Sequence, residues 1–234
     1  MGSDLDITVV VMAFNEASTL GAVVQEIDST LRELRRAYEI VIVDDGSADG
    51  TGPLAEQMAR VLTEVRVIHH ELNRGLGEVY RTGFKNARGR FVSFFPADGQ
   101  YPAVIVKQFL PLMGRADMVL GYLPERKGAL MARGLSMAER VLYKLLLGPV
   151  PRSQGVMMFR RTLLDEIELK STGRGWAVLR ELTIRASRGD YRLVGVPIGM
   201  RPRMSGKSKV NNLRTIWANA KQAFALRRHL REVR

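Results

Sequence analysis

The stretch EIVIVDDGSADGT, residues 39–51, decides how this chain folds. Its first five residues, Glu39–Val43, are rich in β-branched side chains and carry no helical period, which predicts a buried strand. Asp44 and Asp45 stand where that strand stops, and Gly46 and Ser47 turn the chain. A turn or a helix cap uses a single Asp or Ser. Two adjacent carboxylates exceed that need, and they suit a ligand with N–H or hydroxyl donors, such as a nucleotide base or a ribose.

The same grammar extends to either side. Strands are expected at Ile7–Met12, Val65–His69, Arg90–Phe95 and Asp117–Gly121. Between the first two strands, Leu20, Val23, Val24, Ile27, Leu31 and Leu34 mark one face of a helix. Residues 53–63 and 76–88 read as further helices. Continuous apolar strands alternating with helices predict an α/β fold, with a mostly parallel sheet covered on both faces. Ligands of such sheets bind beyond the carboxyl ends of the strands. FNE (14–16), DDGSADGT (44–51), HHELNRGLG (69–77) and PADGQ (96–100) each follow a strand in turn. In NRGLG (73–77), glycines at the start of a helix allow backbone amides to approach a phosphate.

Composition narrows the function classes. The 234 residues are 46% hydrophobic, enough for a sizeable core. There is no cysteine, which excludes disulfides and thiolate chemistry. No apolar run approaches the roughly 20 residues that span a bilayer, and the first residues, MGSDLD, show no signal-peptide pattern. The net charge of +12 is unevenly placed. Residues 1–125 carry 12 Lys/Arg against 17 Asp/Glu, and residues 126–234 carry 24 against 7. The second half therefore suits an anionic partner, a phosphate or a membrane surface. No nucleic-acid-binding motif is present, so nucleic acid is not expected as a partner.

Beyond residue 125 the pattern changes. Residues 128–147 read as a basic helix, 175–189 as another helix, 191–198 as a strand and 201–212 as a basic loop. In 211–234, Leu213, Ile216, Trp217, Ala220, Phe224 and Leu230 form one stripe, with the basic residues mostly elsewhere. The expected organisation is one domain, 1–209, and a basic amphipathic helix, 210–234, that either packs on the domain or lies at a membrane interface.

FFPADGQYP (94–102) places a lone carboxylate, Asp98, beyond a buried strand, with Pro96 two residues before it. VVMAFNE (10–16), VDDGSADGT (43–51), NRGLG (73–77), ADGQ (97–100) and RMSGKSK (203–209) follow in one order along most of the chain. As a set they resemble the family 2 glycosyltransferases of the GT-A fold, most closely the dolichol-phosphate mannose synthase branch. The resemblance implies an enzyme that takes a sugar from a nucleotide-sugar donor, with Mg²⁺ or Mn²⁺, to a polyprenyl phosphate. Mannose from GDP-mannose is the first expectation, and a UDP-sugar or a soluble acceptor is the alternative. A degenerate nucleotide-sugar-binding protein is a further one.

By that resemblance, Ala13, Asn15, Glu16, Asp44, Asp45, Arg74 and Gly75 line the nucleotide pocket, and Asp98 and Gln100 belong to the metal and diphosphate site. Arg126, Arg133 and Ser136 match positions near the transferring phosphate, and Arg203 and Lys209 bring cations to the diphosphate. Together with Asp98 these five form the expected catalytic set. Two departures from the family's pattern stand out: Pro96 replaces the first acid of its Asp-X-Asp-X-Gln, and Pro151 replaces an acid four residues before Gly155. Glu181 is a further candidate for the acceptor side, with a plain surface glutamate as the alternative. His69, His70 and His229 form no ligand cluster, and the first two are read as ending a strand. A lipid acceptor implies a cytoplasmic protein peripheral to a membrane, held there by the C-terminal helix or by a membrane partner subunit.

Overall fold

The computed structural model describes residues 5–124, 146–153, 155–172, 174–202, 224–228 and 230. Among these, seven strands form one sheet in the order β3-β2-β1-β4-β6-β5-β7. The strands are β1 (Ile7–Ala13), β2 (Tyr38–Asp44), β3 (Val65–His69), β4 (Phe91–Pro96), β5 (Met118–Tyr122), β6 (Met157–Arg160) and β7 (Leu193–Pro197). The helices between them are α1 (Leu20–Glu33), α2 (Thr51–Val61), α3 (Leu76–Asn86), α4 (Ile105–Phe109), α5 (Leu163–Glu166) and α6 (Ala177–Arg188). Every strand pair is parallel except β4–β6 and β5–β6. The mostly parallel α/β sheet expected from the sequence is the one observed.

Alternate residues of β1 serve opposite faces, which explains why the central strands are apolar throughout. Val9 and Val11 join Ile40, Ile42, Leu20, Val24, Ile27 and Leu31 in one core layer. Val10 joins Val41, Val43, Phe94, Tyr80 and Leu182 in the other. In that second layer Phe84 meets Phe94 edge-on at 5.3 Å between ring centroids, and Phe94 stacks on Phe159 at 6.4 Å.

The expected strands and helices differ from those observed mainly at their ends. Helix α2 starts at Thr51 because Gly50 turns at φ 91° and the Asp49 carboxylate accepts from the Thr51 amide at 3.1 Å. Strand β6 and the short helices α4 and α5 were not anticipated. Four residues, MMFR, of which Met157, Met158 and Phe159 are buried in succession, carry too little periodicity to announce a strand. The expected helix 128–147 lies almost wholly outside the described residues, as does most of 211–234.

Of the C-terminal segment, Leu226 and Leu230 are buried against Leu147 and Ile184, while Phe224 is exposed. These two leucines favour packing for this part of the helix. At the opposite end of the sheet from the polar motifs, Glu39 is buried. Its Oε1 accepts from the Thr8 hydroxyl at 2.7 Å and the Arg88 amide at 2.8 Å, and its Oε2 from Arg66 at 2.8 Å.

Candidate functional site

The loops beyond β1 and β2 are laced together by hydrogen bonds. Ala13 ends β1, and its carbonyl accepts from the Asp45 amide at 2.9 Å. Asn15 takes a left-handed turn, φ 53°, that brings its amide to the Ser47 hydroxyl and its side-chain oxygen to the Ala48 amide, both at 2.9 Å. The Glu16 amide donates to the Thr51 hydroxyl at 2.9 Å, and the Ala17 amide to Asp49 at 3.1 Å. Asn15 and Glu16 are therefore fixed relative to the Asp44–Thr51 turn, as a rigid binding edge requires.

The two adjacent aspartates have separate tasks. Asp44 Oδ1 accepts from the Ser47 amide at 3.2 Å, and Oδ2 faces His69 Nδ1 at 3.0 Å. The other His69 nitrogen meets Glu56 at 2.9 Å. Partial burial alone would lower the His69 pKa, but the hydrogen bonds to Glu56 and Asp44 outweigh it and raise the value. Asp45 is buried and surrounded by donors. Its Oδ1 accepts from His70 Nδ1 at 2.7 Å and the Arg74 amide at 2.9 Å; its Oδ2 accepts from the Gly75 amide at 2.8 Å and the Asn73 side chain at 2.9 Å.

Close approach makes two glycines necessary. Gly46, at φ 68°, would place a Cβ 2.5 Å from the carbonyl carbon of Leu72. Gly75, at φ 89°, would place one 2.6 Å from the Cβ of Arg174. The loop 73–77 is also pressed against Arg174. The Gly77 amide donates to the Arg174 carbonyl at 3.2 Å, and the Arg174 guanidinium donates to Asn73. The Arg74 side chain itself is largely exposed, beside Glu78 at 3.6 Å.

Asp98 follows β4 on a turn made by Gly99, φ 72°. It is 5% exposed, and its Oδ1 accepts from the Gln100 amide at 3.1 Å. Burial, and then the charge of Asp98, push the Tyr101 hydroxyl pKa up. The chain leaving β7 runs alongside: the Arg201 amide donates to the Gln100 carbonyl at 2.8 Å, and the Gln100 carboxamide reaches the Met200 sulfur at 3.8 Å.

Thus the structure brings Ala13, Asn15, Glu16, Asp44, Asp45, Arg74, Gly75, Asp98 and Gln100 to one edge of the sheet. Arg126, Arg133, Ser136, Arg203 and Lys209 lie outside the described residues. Glu181 is not a surface glutamate, as its alternative reading had it. It is 0% exposed and holds the loop before α6, accepting from the Ser171 amide at 2.6 Å, the Lys170 amide at 3.1 Å and Arg185 at 2.7 Å. Burial would raise its pKa; the amides of Ser171 and Lys170, with Arg185, outweigh that and hold it below the ordinary range.

His70 and Asn73 had no assigned role in the sequence reading. A signal for His70 was present: β2 and β3 are parallel with Asp44 opposite His69, so paired residues DD and HH end neighbouring strands.

The profile of the Glycosyl transferase family 2 domain matches residues 8–180, which include β1 from its second residue, β2 to β6, and the loops that carry Asn15, Asp44, Asp45, Gly75 and Asp98. The chain belongs to that family. Relatives in it include the dolichol-phosphate mannosyltransferase of Pyrococcus furiosus, 26% identical over 233 residues; the match covers 95% of this chain and 64% of that protein. The chain thus spans somewhat less than two thirds of that relative's length. The polyprenol monophosphomannose synthase of Mycolicibacterium smegmatis is 29% identical, over 87% of this chain and 80% of its own. The undecaprenyl-phosphate mannosyltransferase of Micrococcus luteus is 29% identical, over 80% and 83%.

Among solved structures, glucosyl-3-phosphoglycerate synthase from Mycobacterium tuberculosis, in complex with Mn²⁺, UDP-glucose and phosphoglyceric acid, superposes with a TM-score of 0.70 at 22% identity. That match covers 95% of this chain and 78% of the other. Mannosyl-3-phosphoglycerate synthase from Rubrobacter xylanophilus gives 0.67 at 21%, over 97% and 74%. The likeness is one of fold, and it agrees with the GT-A arrangement expected from the motifs.

Proposed function

We propose that this member of the family is an inverting glycosyltransferase that moves a hexose from a nucleotide-sugar donor to a polyprenyl phosphate, with GDP-mannose as the favoured donor. One observation carries the reading. Asn15–Glu16, Asp44 and the buried Asp98 converge on the carboxyl edge of the sheet, in a chain whose three relatives above are named for mannosyl transfer, in two of them to dolichol or undecaprenyl phosphate. Loops at this edge are where an open α/β sheet binds its ligand.

Asp44 and the Asn15–Glu16 turn form the nucleotide side, with Asp45 and Gly75 beneath. Among the described residues no group of three or more His, Asp or Glu could hold a metal by itself. Mg²⁺ needs only one or two protein carboxylates when waters and substrate phosphates complete its shell. Asp98 with Gln100 therefore fits a Mg²⁺ or Mn²⁺ ion shared with the donor diphosphate, and does not fit a closed protein cage. Once bound, such an ion supplies positive charge to the leaving nucleoside diphosphate.

The acceptor phosphate has a second pKa of about 6 and is largely dianionic at neutral pH. It is already a nucleophile, so the chain's own groups need only position it and balance charge. Arg126, Arg133 and Ser136 are proposed to hold that phosphate, and Arg203 and Lys209 to bring cations to the diphosphate. The last pair is supported by position: residues 203–209 follow Pro202 directly, and Arg201 is already bonded to Gln100. No helix among the described residues is long and apolar enough to cross a membrane. Membrane contact is assigned to the basic C-terminal segment, at the cytoplasmic face.

The test is transfer of label from GDP-mannose, and from a panel of UDP-sugars, to a polyprenyl phosphate with Mn²⁺ present. Label extracted into organic solvent supports the reading. Label retained with a soluble phosphorylated acceptor would replace the lipid by that acceptor, and no product with any donor would leave only a binding protein.

A further inference from the structure

We infer that His70 is a positioning residue for the donor site, acting through Asp45 on the backbone of residues 73–75. The inference rests on the donor-site reading above, but the geometry stands without it. His70 and Asp45 side chains are each 4% exposed, and the two are 2.7 Å apart. With donors from His70, Asn73, Arg74 and Gly75, the Asp45 carboxylate fills its about four lone-pair sites from within the protein. Its work is therefore to hold loop 73–75, and contact with a base or ribose falls to the neighbouring Asp44 and the Asn15–Glu16 turn.

The imidazole makes this anchoring possible. Three other N–H groups converge on Asp45, so the carboxylate accepts only, and His70 Nδ1 carries the hydrogen. Nε2 meets the Thr82 hydroxyl at 2.8 Å, which ties the end of β3 to α3. Both ring nitrogens are occupied and the ring is closed off from solvent, so His70 is not placed to touch substrate. The loop it anchors has no slack: Gly46 meets Leu72 and Gly75 meets Arg174 with no room for a methyl group. A shift of Asp45 would be passed on to residues 73–75 and to Arg174.

Two near-isosteric variants separate anchoring from bulk. The amide of His70→Asn can replace Nδ1–H toward Asp45, whereas His70→Gln replaces Nε2 toward Thr82. Two measurements are made on the full chain: hydrogen exchange at the Arg74 and Gly75 amides without ligand, and calorimetric binding of GDP and UDP with Mn²⁺. His70→Gln should speed exchange at those two amides at least tenfold, leave the strands protected, and weaken nucleotide binding at least tenfold. His70→Asn should stay within threefold of the parent in both.

Equal effects of the two variants would overturn the proposal, as would protection lost across the whole sheet. Exchange that speeds up while nucleotide binding is unchanged would also overturn the link to the donor site. If the parent binds neither nucleotide, the donor reading fails by itself, and hydrogen exchange still decides whether His70 anchors the loop.

Discussion

Pro96 lies opposite Met12 in the last rung of the β4–β1 pairing, two residues before the buried Asp98. Proline has no N–H to give, and the rung closes without one: the Ala97 amide donates to the Met12 carbonyl at 2.9 Å. The position that carries an acid in the family's pattern is here the last residue of β4, and Asp98 remains as the carboxylate of the turn. Asp98→Ala should lower transfer by about a hundredfold or more while the melting temperature stays near the parent's. Pro96→Asp should leave activity intact or raise it. Radiolabel transfer beside thermal melts checks both, and full activity in Asp98→Ala would remove this residue from the metal site.

Gly46→Ala forces a Cβ into the Leu72 carbonyl and strains a left-handed residue. The left-handed conformation alone costs about 1–2 kcal/mol for a non-glycine residue, and the steric push adds to it. Urea denaturation should show a loss of at least that size, and nucleotide binding should weaken because Asn73, the next residue, is one of the Asp45 anchors.

Glu39 and Glu181 both carry pKa values lowered in the fold. For each, burial opposes the shift and is outweighed: by Arg66, Thr8 and the Arg88 amide at Glu39, and by the Ser171 and Lys170 amides at Glu181. A lowered folded value means stability that is fully present above the unfolded glutamate value, about 4.3, and lost as pH falls through the folded value. Stability from these groups should be flat from pH 5 upward and decline below pH 4. In Glu181→Gln, urea midpoints should be lower at pH 7, and the acid slope should be shallower.

The C-terminal segment combines packing and charge. Leu226→Ala should cost about 2–5 kcal/mol by emptying its place against Leu147 and Ile184. Neutralising Arg227, Arg228 and Arg231 together should weaken binding to anionic vesicles by at most about 3 kcal/mol, at about 1 kcal/mol per near-surface cation. The difference should shrink at high salt, and nucleotide affinity should not change. Co-sedimentation at two salt concentrations measures it; a triple variant that sediments like the parent at both would assign membrane contact elsewhere.

The parallel half of the sheet was legible in the sequence because β1, β2 and β4 are mostly apolar, buried runs followed by polar residues. Burial on both faces and a ligand edge at the carboxyl ends both leave that imprint. Strand β6 was not, because a short buried strand and a short buried helix look alike in four residues. At the site, the paired Asp44 and Asp45 announced themselves, but their division of labour did not. It depends on which carboxylate meets the amides of a loop about thirty residues away, and spacing alone does not encode that. Glu181 was ambiguous for the same reason: the amides it accepts from lie before α6, where no pattern marks them.

Strand β6 also fixes where the chain beyond β5 returns to the sheet. It runs antiparallel to β5, its sheet neighbour, with Met157 opposite Leu120. The chain that leaves β5 at Tyr122 and re-enters at Met157 therefore starts and finishes above the same edge as Asp44 and Asp98. Such an excursion can lengthen or shorten without moving any rung of the ladder. With Arg126, Arg133 and Ser136 holding the acceptor as proposed, a change in the length of that excursion should alter acceptor affinity and leave nucleotide affinity as it was.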